Sequence, residues 1–180
     1  MNSKNSKRIV LIGLLIIPVT MYLVSIAVSG VVNFRTLENM GSPSFNSNTT
    51  SFVNEFGESW SPDSSSGKIV VLSFFFTTCP TICPAMNFHL KEAHDRLYGF
   101  KDLIFISCTV DPTTDTPEIL YNYKRNLGVE ESNKWNFITG DSDELYSLAN
   151  SYYLTALRDS KSAGGYAHSQ SAVLIDWSGV

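Results

Sequence analysis

From Ile9 to Val32 the chain carries no charged residue and is dominated by Leu, Ile and Val, long enough to cross a bilayer core of about 30 Å. Lys4, Lys7 and Arg8 precede this run, and only Arg35 and Glu38 follow it closely. The bias of positive charge therefore predicts residues 1–8 in the cytoplasm, a transmembrane anchor over residues 9–32 and export of the remainder. Ala27 and Ser29 leave a cleavable signal peptide as the rival reading, although the apolar run exceeds the roughly 7–15 residues such a segment uses. Residues 33–51, with Gly41-Ser42-Pro43-Ser44 and a run of Asn, Ser and Thr, read as a polar tether.

Residues 52–180 carry the patterns of a folded domain. Phe52 to Gly57 begins a short hairpin and Pro62 to Gly67 is a loop. Ile69 to Phe76 is a continuous run of β-branched and aromatic residues, as in a central strand covered on both faces. The helix after it sets Met86, Leu90, Ala93 and Leu97 on one face and Lys91, Glu92, Asp95 and Arg96 toward water. Leu103 to Val110 is a second buried strand. Asp115 and Glu118 bracket a capping box with Pro117 at the first helical position, and Leu120, Tyr123 and Leu127 line a helix stopped by Gly128. Trp135 to Ile138 is a third strand, Asp141 and Glu144 cap a further helix carrying Leu145, Leu148, Ala149 and Tyr152, and Ala172 to Trp177 is a fourth strand. Alternation of this kind predicts an α/β domain with a largely parallel sheet and helices on both faces.

At 180 residues and 43% hydrophobic content the chain can bury one sizeable core besides the apolar segment. A formal net charge of -4, with no basic stripe after the N-terminus, excludes a nucleic-acid surface. Three cysteines are too few for a disulfide-built scaffold, so a close pair with one left over reads as a site and a bystander.

That pair lies in Phe74-Phe75-Phe76-Thr77-Thr78-Cys79-Pro80-Thr81-Ile82-Cys83-Pro84-Ala85-Met86, at the junction of the first long strand and its helix. Backbone N–H groups left unpaired at a helix N-terminus stabilise a thiolate there. Pro84 suits the first helical position, and both sulfurs are expected in or beside the loop. Neither cysteine falls on the apolar face assigned to the helix. A C-x-x-x-C spacing serves either a disulfide or two thiolates directed at one ion, and spacing alone does not choose between them.

Phe75 to Pro84, then Val110-Asp111-Pro112 leading to Asp115-Thr116-Pro117-Glu118, then His168-Ser169 before a strand, resemble the successive motifs of the Sco/SenC family over roughly residues 50–180. The resemblance implies a membrane-anchored, thioredoxin-like copper protein of cytochrome c oxidase assembly. It also implies a further strand and a closing helix after Ala172–Trp177. The chain stops at Ser178-Gly179-Val180, so the expectation is either a fragment of a longer protein or a domain without its C-terminal strand and helix.

Of the three histidines, His89 and His94 follow the cysteines along the helix. At 1.5 Å per residue they lie about 9 Å and about 16 Å beyond Cys83, and both read as solvated helix-face residues. His168 follows the run Arg158 to Gly165 and precedes a strand, which places it on a loop able to fold over the cysteines. Read from the residues alone it is either a donor or an ordinary loop histidine; the resemblance makes it the third metal ligand. Two thiolates and an imidazole suit soft copper: Cu(I) accepts such a set and Cu(II) has room for one further group, whereas a structural zinc site wants a fourth protein ligand. Asp111 either begins the turn toward the next helix or orients the metal loop, and Cys108 is structural.

The function implied is a copper chaperone that holds the ion through Cys79, Cys83 and His168 and delivers it to the dinuclear site of cytochrome c oxidase subunit II. A membrane-tethered thiol-disulfide oxidoreductase acting on an exported partner is the alternative, in which His168 would be idle. A peroxide-reducing thiol enzyme is a third reading. In an oxidising compartment, copper loading also requires a thiol reductant for the Cys79–Cys83 pair.

Overall fold

The computed structural model describes residues 12–25, 39–41 and 52–179. The chain divides into two units, Met1–Asn39 and Met40–Val180. In the first, residues 12–25 form helix α1, with Leu14 to Ile17 and Met21 to Val24 exposed at consecutive positions, so the helix has no polar face. Among the described residues no helix is long and apolar enough to cross a membrane. The remainder of the expected 9–32 anchor, residues 1–8 and most of the 33–51 tether lie outside the described residues.

The second unit runs in the order β1 (Phe52–Asn54), β2 (Ser59–Trp60), β3 (Ile69–Phe75), α2 (Ile82–Leu97), β4 (Leu103–Thr109), α3 (Pro117–Leu127), β5 (Trp135–Thr139), α4 (Ser142–Ser151), β6 (Ala156–Arg158), β7 (Tyr166–His168) and β8 (Val173–Ile175). Six strands form one sheet in the order β2-β1-β5-β4-β3-β8, while β6 and β7 pair only with each other among the described residues. The three central strands, β3, β4 and β5, are parallel, as the alternation of strands and helices predicts. β1 and β8 add to them antiparallel, so the sheet is mixed.

Alternation along the strands sorts the two faces. Phe75, Phe105, Trp135 and Phe137 face α2 and α3, where His94 packs on Phe105 and Trp135, and Tyr123 packs on Phe75 and Phe137. On the opposite face a cavity of about 250 Å³ lies between Val70, Leu72 and Ile106 of the sheet and Leu148 and Tyr152 at α4. The sheet thus carries helices on both faces. Cys108 is fully buried on the α4 side, with burial pushing its thiol pKa far up, as suits a structural cysteine.

Three expectations are corrected. The fully buried residues of α2 are Cys83, Asn87 and His94; Met86, Leu90 and Ala93 of the expected face are half-buried and pack on the core, whereas Leu97 is 37% exposed. The helix is rotated by about one position from its apolar pattern because its polar residues find partners inside. His94 is therefore not on a solvated face. It is 4% exposed, with Nε2 2.8 Å from Ser132 Oγ and Nδ1 3.0 Å from Asp95 Oδ1. The cap of α3 is Thr116, whose hydroxyl accepts from the Ile119 N–H, and this leaves Asp115 free for another role.

Lys124 and Glu55 form a buried ion pair that the helix pattern conceals. Lys124 Nζ donates to Glu55 Oε1 at 2.5 Å and to the Ser132 carbonyl at 2.9 Å, and Glu55 Oε2 accepts the Phe137 N–H at 2.8 Å. Such a pair is weak evidence of net stability, but removing one partner strands a buried charge and costs about 3–5 kcal/mol. Urea unfolding of Lys124→Met should show a loss of that order, and the Lys124→Met/Glu55→Gln double variant should recover part of it. Equal stability of wild type and Lys124→Met would contradict the pairing.

Candidate metal centre

The site forms where the carboxyl ends of the parallel strands β3 and β4 meet the loops that leave them, the usual place for ligands in such a sheet. After β3 the chain turns at Phe76–Cys79, where the Cys79 N–H donates to the Phe76 carbonyl at 3.2 Å, and enters α2 at Ile82. Helix α2 begins at Ile82, so Pro84 is its third residue and not its first, and Cys83 lies in the first turn, beside the loop and on the buried stripe. Pro84 is tolerated because the first N–H groups of a helix have no intrahelical acceptor to lose. Cys79 is 8% exposed and Cys83 1% exposed, and both are free thiols.

His168 arrives from the other end of the domain. It is the last residue of β7, not a loop residue, and lies opposite Ala156 of β6. Its Nε2 stands 3.2 Å from Cys83 Sγ. Nδ1 lies 3.0 Å from the Ser169 carbonyl oxygen, which can only accept, so Nδ1 carries the proton and Nε2 turns its lone pair toward the sulfurs. A backbone carbonyl that fixes the tautomer in this way is a common support for a ligating imidazole. The ring meets Phe76 edge-on at 5.7 Å. The ligand atoms of Cys79, Cys83 and His168 all lie within 4.8 Å of one another.

The two sulfurs differ electrically. Burial works against ionising Cys79, but the backbone N–H of Thr81 and hydrogen bonding from Cys83 outweigh it and bring the pKa down to about 6. Burial, followed by the neighbouring Cys79 sulfur, pushes Cys83 up to about 12. In the reduced, metal-free site at neutral pH, Cys79 is the thiolate and Cys83 the thiol. His89, by contrast, is exposed and paired with Glu92, and His94 lies in the Ser132 contact described above.

Asp111 supplies no atom to the three-residue group. Burial opposes its ionisation, but the hydroxyls of Thr113 and Thr114 and the phenol of Tyr166 hold its carboxyl below the usual range. It is both a turn residue, accepting from Thr113 at 2.6 Å, and an acceptor for Tyr166 at 2.7 Å, two residues from His168. Sequence reading missed Asp115, which is fully buried and accepts from the N–H and hydroxyl of Thr77 and from Thr109 Oγ1 at 2.5 Å. It fixes the residue two positions before Cys79. Burial raises its pKa against those hydrogen bonds. The signal was present in Asp115-Thr116-Pro117, since a threonine beside the proline can cap the helix and leave the aspartate to turn inward.

A family model described as SCO1/SenC matches residues 42–180. The SCO1 protein homolog of Bacillus subtilis is 30% identical over 126 residues, covering 69% of this chain and 65% of that protein, so the match spans just under two thirds of the relative's length. The copper-bound structure of Arabidopsis thaliana ScoI is similar at 25% identity and a TM-score of 0.61, over 74% of this chain and 83% of that one. BsSco, described as a member of the Sco family of cytochrome c oxidase assembly proteins with a disulfide switch, is similar at 25% identity and a TM-score of 0.57, over 79% and 84%. The domain therefore has the mixed α/β, thioredoxin-like fold of Sco structures.

The split between the sulfurs has a direct readout in the reduced, metal-free protein. Alkylation at Cys79 should rise with pH through a midpoint near 6, because its thiolate is populated above that value, while Cys83 reacts slowly up to pH 9. Peptide mass spectrometry after timed iodoacetamide treatment separates the two. A shared midpoint near the ordinary thiol value of about 8.5 would contradict the assignment.

Proposed function

The chain belongs to the SCO1/SenC family, and from that premise we propose that it carries copper between Cys79, Cys83 and His168. The carrying observation is the convergence of two sulfurs and one imidazole nitrogen within 4.8 Å. Among the described residues no fourth His, Cys, Asp or Glu joins this group, which favours copper over a four-coordinate structural zinc. Copper here is cargo: thiolates hold Cu(I), and the imidazole adds the nitrogen that Cu(II) prefers. The recipient in this reading is the dinuclear copper site of cytochrome c oxidase subunit II, and release is favoured by a site with only three donors.

The same reading places the domain outside the cytoplasm, tethered by an anchor over residues 9–32. Lys4, Lys7 and Arg8 before the apolar run support the orientation, and the unbroken apolar surface of α1 supports the anchor.

One observation favours a second reading. A Cys79 pKa near 6 gives a thiolate competent to attack a partner's disulfide at neutral pH. Such exchange uses both cysteines and ends with a Cys79–Cys83 disulfide in place of the partner's: two electrons pass to the partner's sulfurs, which take one proton from Cys83 and one from solvent. It gives His168 no role.

The test is copper binding as a function of redox state. The reduced protein should take up one copper per chain, and the oxidised protein, with both sulfurs in a disulfide, should bind it at least a hundredfold more weakly. Cys79→Ser and Cys83→Ser should each abolish tight binding. His168→Ala should weaken Cu(II) more than Cu(I), because thiolates alone suit Cu(I). Equal copper affinity in the reduced and oxidised states would remove the metal from this site, and disulfide reductase activity untouched by His168→Ala would then favour the second reading.

A further inference from the structure

We infer that Tyr166 is the latch that closes the His168 hairpin on the two sulfurs, and that its bond to Asp111 sets the preference of the site for Cu(II) over Cu(I). This rests on the copper reading above. The β6–β7 hairpin is a two-stranded sheet apart from the six-stranded one, and a pair of three-residue strands has little stability of its own. Leu157 and Arg158 of β6 are exposed, and only Ala156 is buried. The hairpin must be held by its side chains.

Tyr166 provides the hold. Its hydroxyl donates to Asp111 Oδ1 at 2.7 Å, and its ring packs on Phe76 at 5.4 Å, the same phenylalanine that His168 meets edge-on. On the other side Arg158 donates to the Tyr166 oxygen at 3.3 Å. Phenol, imidazole and the Phe76 ring that leads into the cysteine loop thus form one aromatic cluster, tied to the end of β4 by the Tyr166–Asp111 hydrogen bond. Gly164 brings the chain onto this cluster. Its φ of +79° suits glycine, and a Cβ there would lie 2.7 Å from the Phe76 ring, so the loop presses on Phe76 with no side chain between them.

The consequence for copper is one-sided. An ion that needs His168 binds only the closed hairpin, so its apparent affinity scales with the closed fraction, whereas an ion satisfied by the two thiolates is indifferent to it. Weakening the latch therefore lowers Cu(II) affinity selectively. A change that merely damaged the fold would lower both ions together.

The experiment uses the full chain in detergent, with chelator-competition titrations of Cu(II) and Cu(I) and hydrogen exchange of peptides covering residues 155–169. Tyr166→Phe keeps the ring and deletes the bond to a charged group, and should lower Cu(II) affinity about tenfold. Cu(I) affinity should stay within about twofold, and exchange in the hairpin should rise. Gly164→Ala, which would push a Cβ against the Phe76 ring, should move all three measurements the same way. Unchanged hairpin exchange in both variants overturns the latch, as does raised exchange with an unchanged Cu(II) to Cu(I) ratio. If the wild-type chain binds no copper at the cysteines, the copper reading fails first and with it the claim about ion preference. The exchange data then decide the latch alone, faster exchange in Tyr166→Phe upholding it and unchanged exchange refuting it.

Discussion

The approach of His168 Nε2 to Cys83 Sγ, 3.2 Å across 85 positions of sequence, is the contact on which the site depends. Two donors come cheaply, because one strand-to-helix junction supplies both sulfurs. The third must be carried across the domain by a hairpin outside the main sheet. Parallel pairing of β3 with β4 brings the cysteine loop beside Asp111 and Asp115. Asp115 then pins Thr77 ahead of Cys79, and Asp111 receives Tyr166 from the hairpin. The two carboxylates divide the work: one fixes the sulfur side, the other the imidazole side.

Much of this was legible in the residues because the signals were local. Short runs rich in apolar and β-branched residues located β3, β4 and β5; Asp141 capped α4 as its spacing implied, accepting from the N–H groups of Asp143 and Glu144. The cysteine pair announced itself by its place between strand and helix. What escaped was polar and long-range. Asn87, His94 and Lys124 are hydrophilic residues on helices, and a pattern reading sends them to water. Each is instead buried because a partner far along the chain meets it: Tyr123 for Asn87, Ser132 for His94, Glu55 for Lys124. Burial of such groups is decided by tertiary pairing, which periodicity does not encode. The same cause rotated α2 and placed Cys83 on the buried stripe. Asp111 and Asp115 stand four residues apart in one turn, yet only the structure separates their tasks.

The chemistry of the site follows from that burial. A sulfur 1% exposed would resist ionisation on its own, and Cys83 does. Cys79, nearer the mouth of the site and facing the free N–H groups of the helix start, ionises readily. In the copper reading proposed above, an ion bound at both sulfurs would displace the proton on Cys83, so metal uptake would be coupled to proton release. The imidazole, already held in the tautomer that exposes Nε2, pays no tautomerisation cost when the ion arrives.

Copper K-edge X-ray absorption on the reduced, copper-loaded protein reads the ligand set most directly. With Cu(II) as the ion, two sulfur neighbours and one imidazole nitrogen are predicted, with the imidazole signal lost in His168→Ala and one sulfur lost in Cys79→Ser loaded with excess copper. A first shell of nitrogen and oxygen alone, or a spectrum unchanged by both substitutions, would contradict a copper site built from Cys79, Cys83 and His168.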